Sequence, residues 1–133
     1  MDEATRGRQN VSDDVLTLAL SGELDVGTQT ATSAKILDAL RDEPRLLVLD
    51  LREVDFLGSA GLSVLIEAQR AASAKNIGMC LVATRRATLL PLELTGLTTM
   101  FPVFASPQDA IRSADAEREQ AGVVPRVGAH VRQ

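Results

Sequence analysis

The sequence predicts an α/β domain: a small, mixed, mostly parallel β-sheet of about four to five strands with about four helices packed on it. Three observations predict it. Short apolar runs alternate with stretches of helical period along nearly the whole chain. The most apolar of those runs, Leu46–Leu51, is of the kind found in strands covered on both faces, as in parallel sheets. Apolar residues make up 45% of the chain but include only three Phe and neither Trp nor Tyr, so the core must be built from interleaved Leu, Val, Ile and Ala.

The elements follow in order. Arg6–Val11 is a candidate antiparallel edge strand, and Val15–Leu20 (Val-Leu-Thr-Leu-Ala-Leu) is a strand ended by Ser21-Gly22. Val26–Arg41 reads as a helix with Ala34, Ile36, Leu37 and Leu40 on its apolar face, capped by Asp25 or Thr28. Pro44 stops it, because proline cannot continue a helix and disfavours helix in the residue before. Leu46–Leu51 is the central strand, and Arg52–Phe56 links it to a second helix, about Ala60 to Lys75, with Leu62, Leu65, Ile66, Gln69 and Ala72 on one face. Asn76 and Gly78 end that helix before a strand at Met79–Ala83. A short helix at Ala87–Thr95 closes on Gly96, and Phe101–Phe104 is the last strand. Pro107 opens a final helix to about Gln120, at a position where proline is tolerated. The expected division is therefore a polar segment at 1–10 holding the edge strand, one domain at 11–119 and a disordered tail at 120–133.

Length and charge narrow the function. A chain of 133 residues is long enough for one modest core. Its net charge of −4, with no dense basic block and no aromatic platform, argues against a nucleic-acid partner. Cys80 has no second cysteine for a disulfide, and it reads as a buried thiol. Met1–Asn10 is polar rather than a secretory signal, and no apolar stretch reaches the roughly 18 residues of a membrane span, so a cytoplasmic location is expected. Asp50 and Asp55 lack neighbouring ligands for a metal, no cofactor motif is present, and Arg85-Arg86 reads as a solvated pair.

The segment Phe56-Leu57-Gly58-Ser59-Ala60-Gly61-Leu62 lies where a strand turns into a helix and puts Ser59 at the expected N-cap. The simplest role for Ser59 there is to cap the helix. A hydrolase nucleophile elbow fails, since Leu57 stands where a glycine belongs and the only histidine, His130, lies in the tail. A phosphate-binding loop fails too, because no Lys-Ser or Lys-Thr follows the glycines. The chain is therefore not expected to be an enzyme. A third role makes Ser59 a phosphate acceptor. A phosphoserine at a helix head meets free N–H groups and the positive end of the dipole, and it adds roughly −1.5 to −2 charges without unfolding the chain.

At these residues the sequence resembles a family. Gly22-Glu23-Leu24-Asp25 after a strand is similar to the Gly-Glu-Leu/Ile-Asp of STAS domains of the anti-sigma factor antagonist type. Leu47-Val48-Leu49-Asp50-Leu51, Val54, Phe56, Ser59, Gly61 and Leu62 resemble that family's signature segment, and Leu94-Thr95-Gly96-Leu97 resembles its later Gly-Leu turn. The resemblance spans about Val11 to Glu119. It implies an antagonist that binds an anti-sigma factor of serine-kinase type and so frees a sigma factor. Phosphorylation at the position of Ser59 would break the complex, and a serine phosphatase would reset it. The partner-binding surface implied is Glu23, Leu24, Asp25, Gly58, Ser59, Ala60, Gly61 and Leu62, because the family fold sets that loop beside the serine turn. Two positions depart from the pattern. Gly58 replaces the usual Asp, which removes a charge from the docking face, and Ala60 replaces a hydroxyl residue, which leaves Ser59 the only hydroxyl of the turn. The alternative is a STAS-type binding subunit or ligand sensor of a transport or signalling assembly that works without serine phosphorylation.

Overall fold

The computed structural model describes residues 8–12 and 14–123, with side chains from 14 to 117. Five strands form one sheet: β1 (Arg8–Ser12), β2 (Val15–Leu24), β3 (Leu46–Leu57), β4 (Gly78–Val82) and β5 (Val103–Phe104), side by side in that order. β1 pairs antiparallel with β2, Arg8 facing Ala19 and Ser12 facing Val15, and every other pairing is parallel. The helical elements are α1 (Gln29–Arg41), α2 (Ser59–Ala74), α3 (Arg86–Leu94), the single turn α4 (Leu97–Met100) and α5 (Pro107–Val123). The expected mixed α/β sheet is thus present, with β1 as its antiparallel edge.

Strand alternation explains why Leu46–Leu51 has almost no polar position. Leu47, Leu49 and Leu51 point to one face and pack with Ile36 and Leu40 of α1, Val64, Leu65, Ala68 and Ala72 of α2, and Leu92 of α3. Leu46 and Val48 point to the other face, where Val15, Cys80 and Val82 meet Ala110, Ile111 and Ala114 of α5. All four parallel strands share this two-sided cover, the ordinary condition of parallel sheets.

Helix ends follow local chemistry. α1 starts at Gln29 rather than Val26, because Asp25–Thr28 is taken up by a turn. Its inward positions are Thr32, Ile36, Ala39 and Leu40, so Ala34 and Leu37, expected inside, are exposed. α2 buries Gly61, Val64, Leu65, Ala68 and Ala72, while Leu62 and Ile66 only half-bury at the edge of the core. Asn76 closes α2 in the left-handed conformation, with the Ile77 N–H donating to Ala72 O. The helix opened by Pro107 continues to Val123, and the sequence from 124 on, including His130, lies outside the described residues, as does 1–7.

The larger correction concerns β3. Arg52–Phe56, expected to be a link, continues the strand as far as Leu57. β2 likewise runs past Ser21-Gly22 to Leu24, with register shifts between Ala19 and Ser21 and between Gly22 and Glu23. The second shift leaves Asp55 of β3 without a partner, and opposite it Gly22 stands at φ 80°, a left-handed value that glycine adopts without strain. β4 leaves β3 at Asp50–Val82, so the part of β3 from Leu51 to Leu57, more than half of the strand, has β2 as its only neighbour. That two-stranded arm carries Glu23–Leu24 on one strand and leads into Gly58 on the other.

Candidate functional site

The arm ends where α2 begins, and there the structure brings the two candidate segments together. The Gly58 N–H donates to Leu24 O at 2.9 Å. Gly61, one turn into the approach, lies against the same carbonyl: a Cβ placed on it would be 2.6 Å from Leu24 O, 2.8 Å from Leu24 Cβ and 2.9 Å from Leu57 Cδ1. The head of α2 can therefore approach β2 this closely only because Gly61 has no side chain. Leu24 is buried, and what it contributes to the surface is the position of its neighbours.

Ser59 is not the N-cap. That position belongs to Gly58, in extended conformation, whose carbonyl accepts the first helical bond from the Leu62 N–H at 3.0 Å. The strand-derived hydrogen bond at the Gly58 N–H keeps Gly58 extended at the helix boundary, and the helix starts at Ser59, one residue earlier than the serine's capping preference suggests. Ser59 is the first helical residue, exposed, and its hydroxyl makes no hydrogen bond among the described residues. A first-turn residue adds no intrahelical donor bond of its own, so the N–H groups of Ser59, Ala60 and Gly61 face outward from the head of α2. Capping is thus not what this side chain does.

The opposite wall is the turn Glu23–Thr28. Asp25 Oδ1 accepts from the Gly27 N–H at 2.9 Å and the Thr28 N–H at 3.2 Å, so this carboxylate organises the turn. The Thr28 hydroxyl donates to Glu23 O at 2.7 Å and accepts from the Asp25 N–H at 3.1 Å. Glu23 itself is exposed. Two apolar side chains flank this wall: Val26 is 79% exposed and Phe56 52% exposed. The Phe56 ring lies over Gly58, where an added Cβ would stand 2.9 Å from its Cε2. Sequence reading missed Phe56 and Val26 as surface residues: the β2–β3 register shifts break the strand alternation before Phe56, and Val26 lies in the turn, where no strand pattern applies.

The remaining ionisable candidates are committed elsewhere. Asp50 is buried and takes a bidentate pair from Arg52, with Nε at 3.0 Å and Nη2 at 2.8 Å; it also accepts the Arg52 N–H at 3.1 Å. Hydrogen bonding to Asp50 holds the Arg52 guanidinium above its ordinary range. Arg85 and Arg86 are exposed, as a solvated pair is expected to be, and Arg85 also pairs with Asp55 at 2.6 Å. Burial pushes the Cys80 thiol up to about 12, which leaves it protonated at neutral pH. An open groove of about 400 Å³ runs between α1 and α2 past Ser33, Leu37, Val64 and Glu67, and Ser59 is not part of it. Among the described residues no helix is long and apolar enough to cross a membrane.

The site is thus a solvent-facing serine at a helix head, keyed by a glycine to an acidic turn on the neighbouring strand of a small α/β domain. The sequence profile of the STAS domain family matches residues 8–110. The chain is 37% identical over 101 residues to the anti-sigma-F factor antagonist RsfB of Mycobacterium tuberculosis, covering 73% of this chain and 79% of that protein. Its fold matches the crystal structure of an anti-sigma factor antagonist from Mycobacterium paratuberculosis with a TM-score of 0.73 and 35% identity, over 79% of this chain and 89% of that one. A Thermotoga maritima protein shares the fold alone, with a TM-score of 0.74 at 20% identity over 80% of this chain and 92% of that one. The chain belongs to the STAS domain family.

Proposed function

We propose that this chain is an anti-sigma factor antagonist that binds its anti-sigma factor through Glu23–Asp25 and Gly58–Leu62, and that phosphorylation of Ser59 ends that binding. The observation that carries the reading is the placement of Ser59: exposed, without a capping role, and locked beside the acidic turn by the Leu24 carbonyl. A phosphate there finds N–H donors at the head of α2, so the fold tolerates it. The same phosphate adds roughly −1.5 to −2 charges next to exposed Glu23, which turns the surface against a partner fitted to the unmodified one. The named relatives support the partner class. The kinase would be the anti-sigma factor itself, a serine phosphatase would reverse the step, and the cycle would run in the cytoplasm.

The test is binding of anti-sigma factors from the same organism to wild type, Ser59→Ala and Ser59→Glu. Ser59→Ala is expected to bind as wild type does, and Ser59→Glu at least tenfold more weakly, about 1.4 kcal/mol. Incubation with a serine-kinase partner and ATP is expected to add one phosphate to wild type and none to Ser59→Ala, read by mass spectrometry. Equal binding of Ser59→Glu and wild type rules out the charge switch.

A further inference from the structure

The peptide unit between Leu24 and Asp25 is gripped at both ends. Its carbonyl accepts the Gly58 N–H at 2.9 Å, and its N–H donates to Thr28 Oγ1 at 3.1 Å. The same hydroxyl donates to Glu23 O at 2.7 Å, so Thr28 fixes the peptide groups on both sides of Leu24. Gly61 takes up the remaining slack by lying against the gripped carbonyl. Thr28 stands at the N-cap of α1, yet its hydroxyl caps no helical N–H and points back into the turn. A threonine kept for the helix would be aimed the other way.

From this geometry we infer that Thr28 is a positioning residue: its hydroxyl sets the orientation of the Leu24–Asp25 peptide and thereby holds Glu23 and Asp25 in register with Ser59. Without the hydroxyl, the Asp25 N–H and Glu23 O lose their partner, and the peptide is free to rotate away from Gly58. The acidic turn and the serine turn then move independently, and a partner must order them on binding, which lowers affinity without touching any contact residue. The inference rests on the proposed anti-sigma partner for its functional half, and on the hydrogen bonds alone for its structural half.

The experiment compares wild type, Thr28→Val, which keeps shape and branching, and Thr28→Ser, which keeps the hydroxyl; Thr28→Ala stands in should valine not be accommodated. Amide hydrogen exchange and affinity for the anti-sigma factor are both read. Thr28→Val is expected to raise exchange at the Asp25 and Gly58 amides at least tenfold, well beyond any rise at the Leu49 amide, and to weaken binding at least tenfold. Thr28→Ser is expected to stay within twofold of wild type on both. Unchanged exchange at Asp25 and Gly58 in Thr28→Val overturns the inference, and so does deprotection of those amides with binding still within twofold of wild type. Wild type that binds no anti-sigma factor sinks the proposed function instead, while the exchange data still decide what Thr28 holds.

Discussion

At the scale of single residues, the two glycines of the serine turn carry different constraints. An atom added at Gly61 meets a backbone carbonyl and the buried Leu24 and Leu57 side chains, none of which can give way cheaply. An atom added at Gly58 meets the edge of the exposed Phe56 ring, which can swing into solvent. Gly61→Ala is therefore expected to cost about 2 kcal/mol, in the range of overpacking, and Gly58→Ala less than about 1 kcal/mol. Urea titration of the two variants checks this, and equal losses would mean that Leu24 does not constrain the head of α2. The contrast also bears on the departure from the family pattern. The backbone at Gly58 is extended, so an aspartate could stand there, and what its absence leaves room for is the Phe56 ring.

Among the elements, the arm of β3 beyond Asp50 matters most, because it carries the site outward from the sheet. It has one neighbour strand where the rest of β3 has two, so one row of its backbone groups lacks a ladder partner. Asp50 meets this need at the branch point by accepting the Arg52 N–H and clamping the Arg52 side chain with both oxygens. Asp50→Asn removes the charge and one acceptor at constant size. It is expected to destabilise the protein by about 1–3 kcal/mol, the scale of hydrogen bonds to charged groups. It should also raise amide exchange at Arg52–Val54 more than in β4. Uniform loss of protection across the sheet would show that Asp50 serves the core and not the arm. The sequence Arg52-Glu53-Val54-Asp55 hid this strand, since three of its residues are charged and only Val54 and Leu57 turn inward.

For the whole molecule, the sheet is covered unequally: α1, α2 and α3 pack on one face and α5 alone on the other. Cys80 sits on the α5 side, and its titration reports on that cover. Its pKa is raised in the folded state, so folding favours the protonated thiol. Stability from this group is complete below its unfolded value of 9.0 and is lost as the pH climbs toward about 12. Between pH 9 and 11 the urea midpoint of wild type is expected to fall faster than that of Cys80→Ala, by no more than about 1.4 kcal/mol per pH unit. Parallel pH curves for the two proteins would mean that the thiol is not shielded by α5.

The sequence by itself determined the class of fold, the two-sided burial of Leu46–Leu51, and the pair of segments, Gly22–Asp25 and Phe56–Leu62, on which the proposed function rests. Those depend on local pattern: apolar runs, turn residues and spacing, all of which are properties of neighbouring positions. Tertiary structure alone decided that Gly58 rather than Ser59 caps α2, that β3 reaches Leu57, and that the Thr28 hydroxyl turns back on the Leu24–Asp25 peptide. The first two turn on a hydrogen bond or a register shift between β2 and the β3–α2 junction, segments far apart in the chain, and the third on a bond across three residues within the turn that the Leu24 carbonyl ties to that junction. A serine's preference for capping is worth about 1 kcal/mol, and a backbone bond from a neighbouring strand is enough to override it. Freed from the cap by that bond, the Ser59 hydroxyl faces solvent.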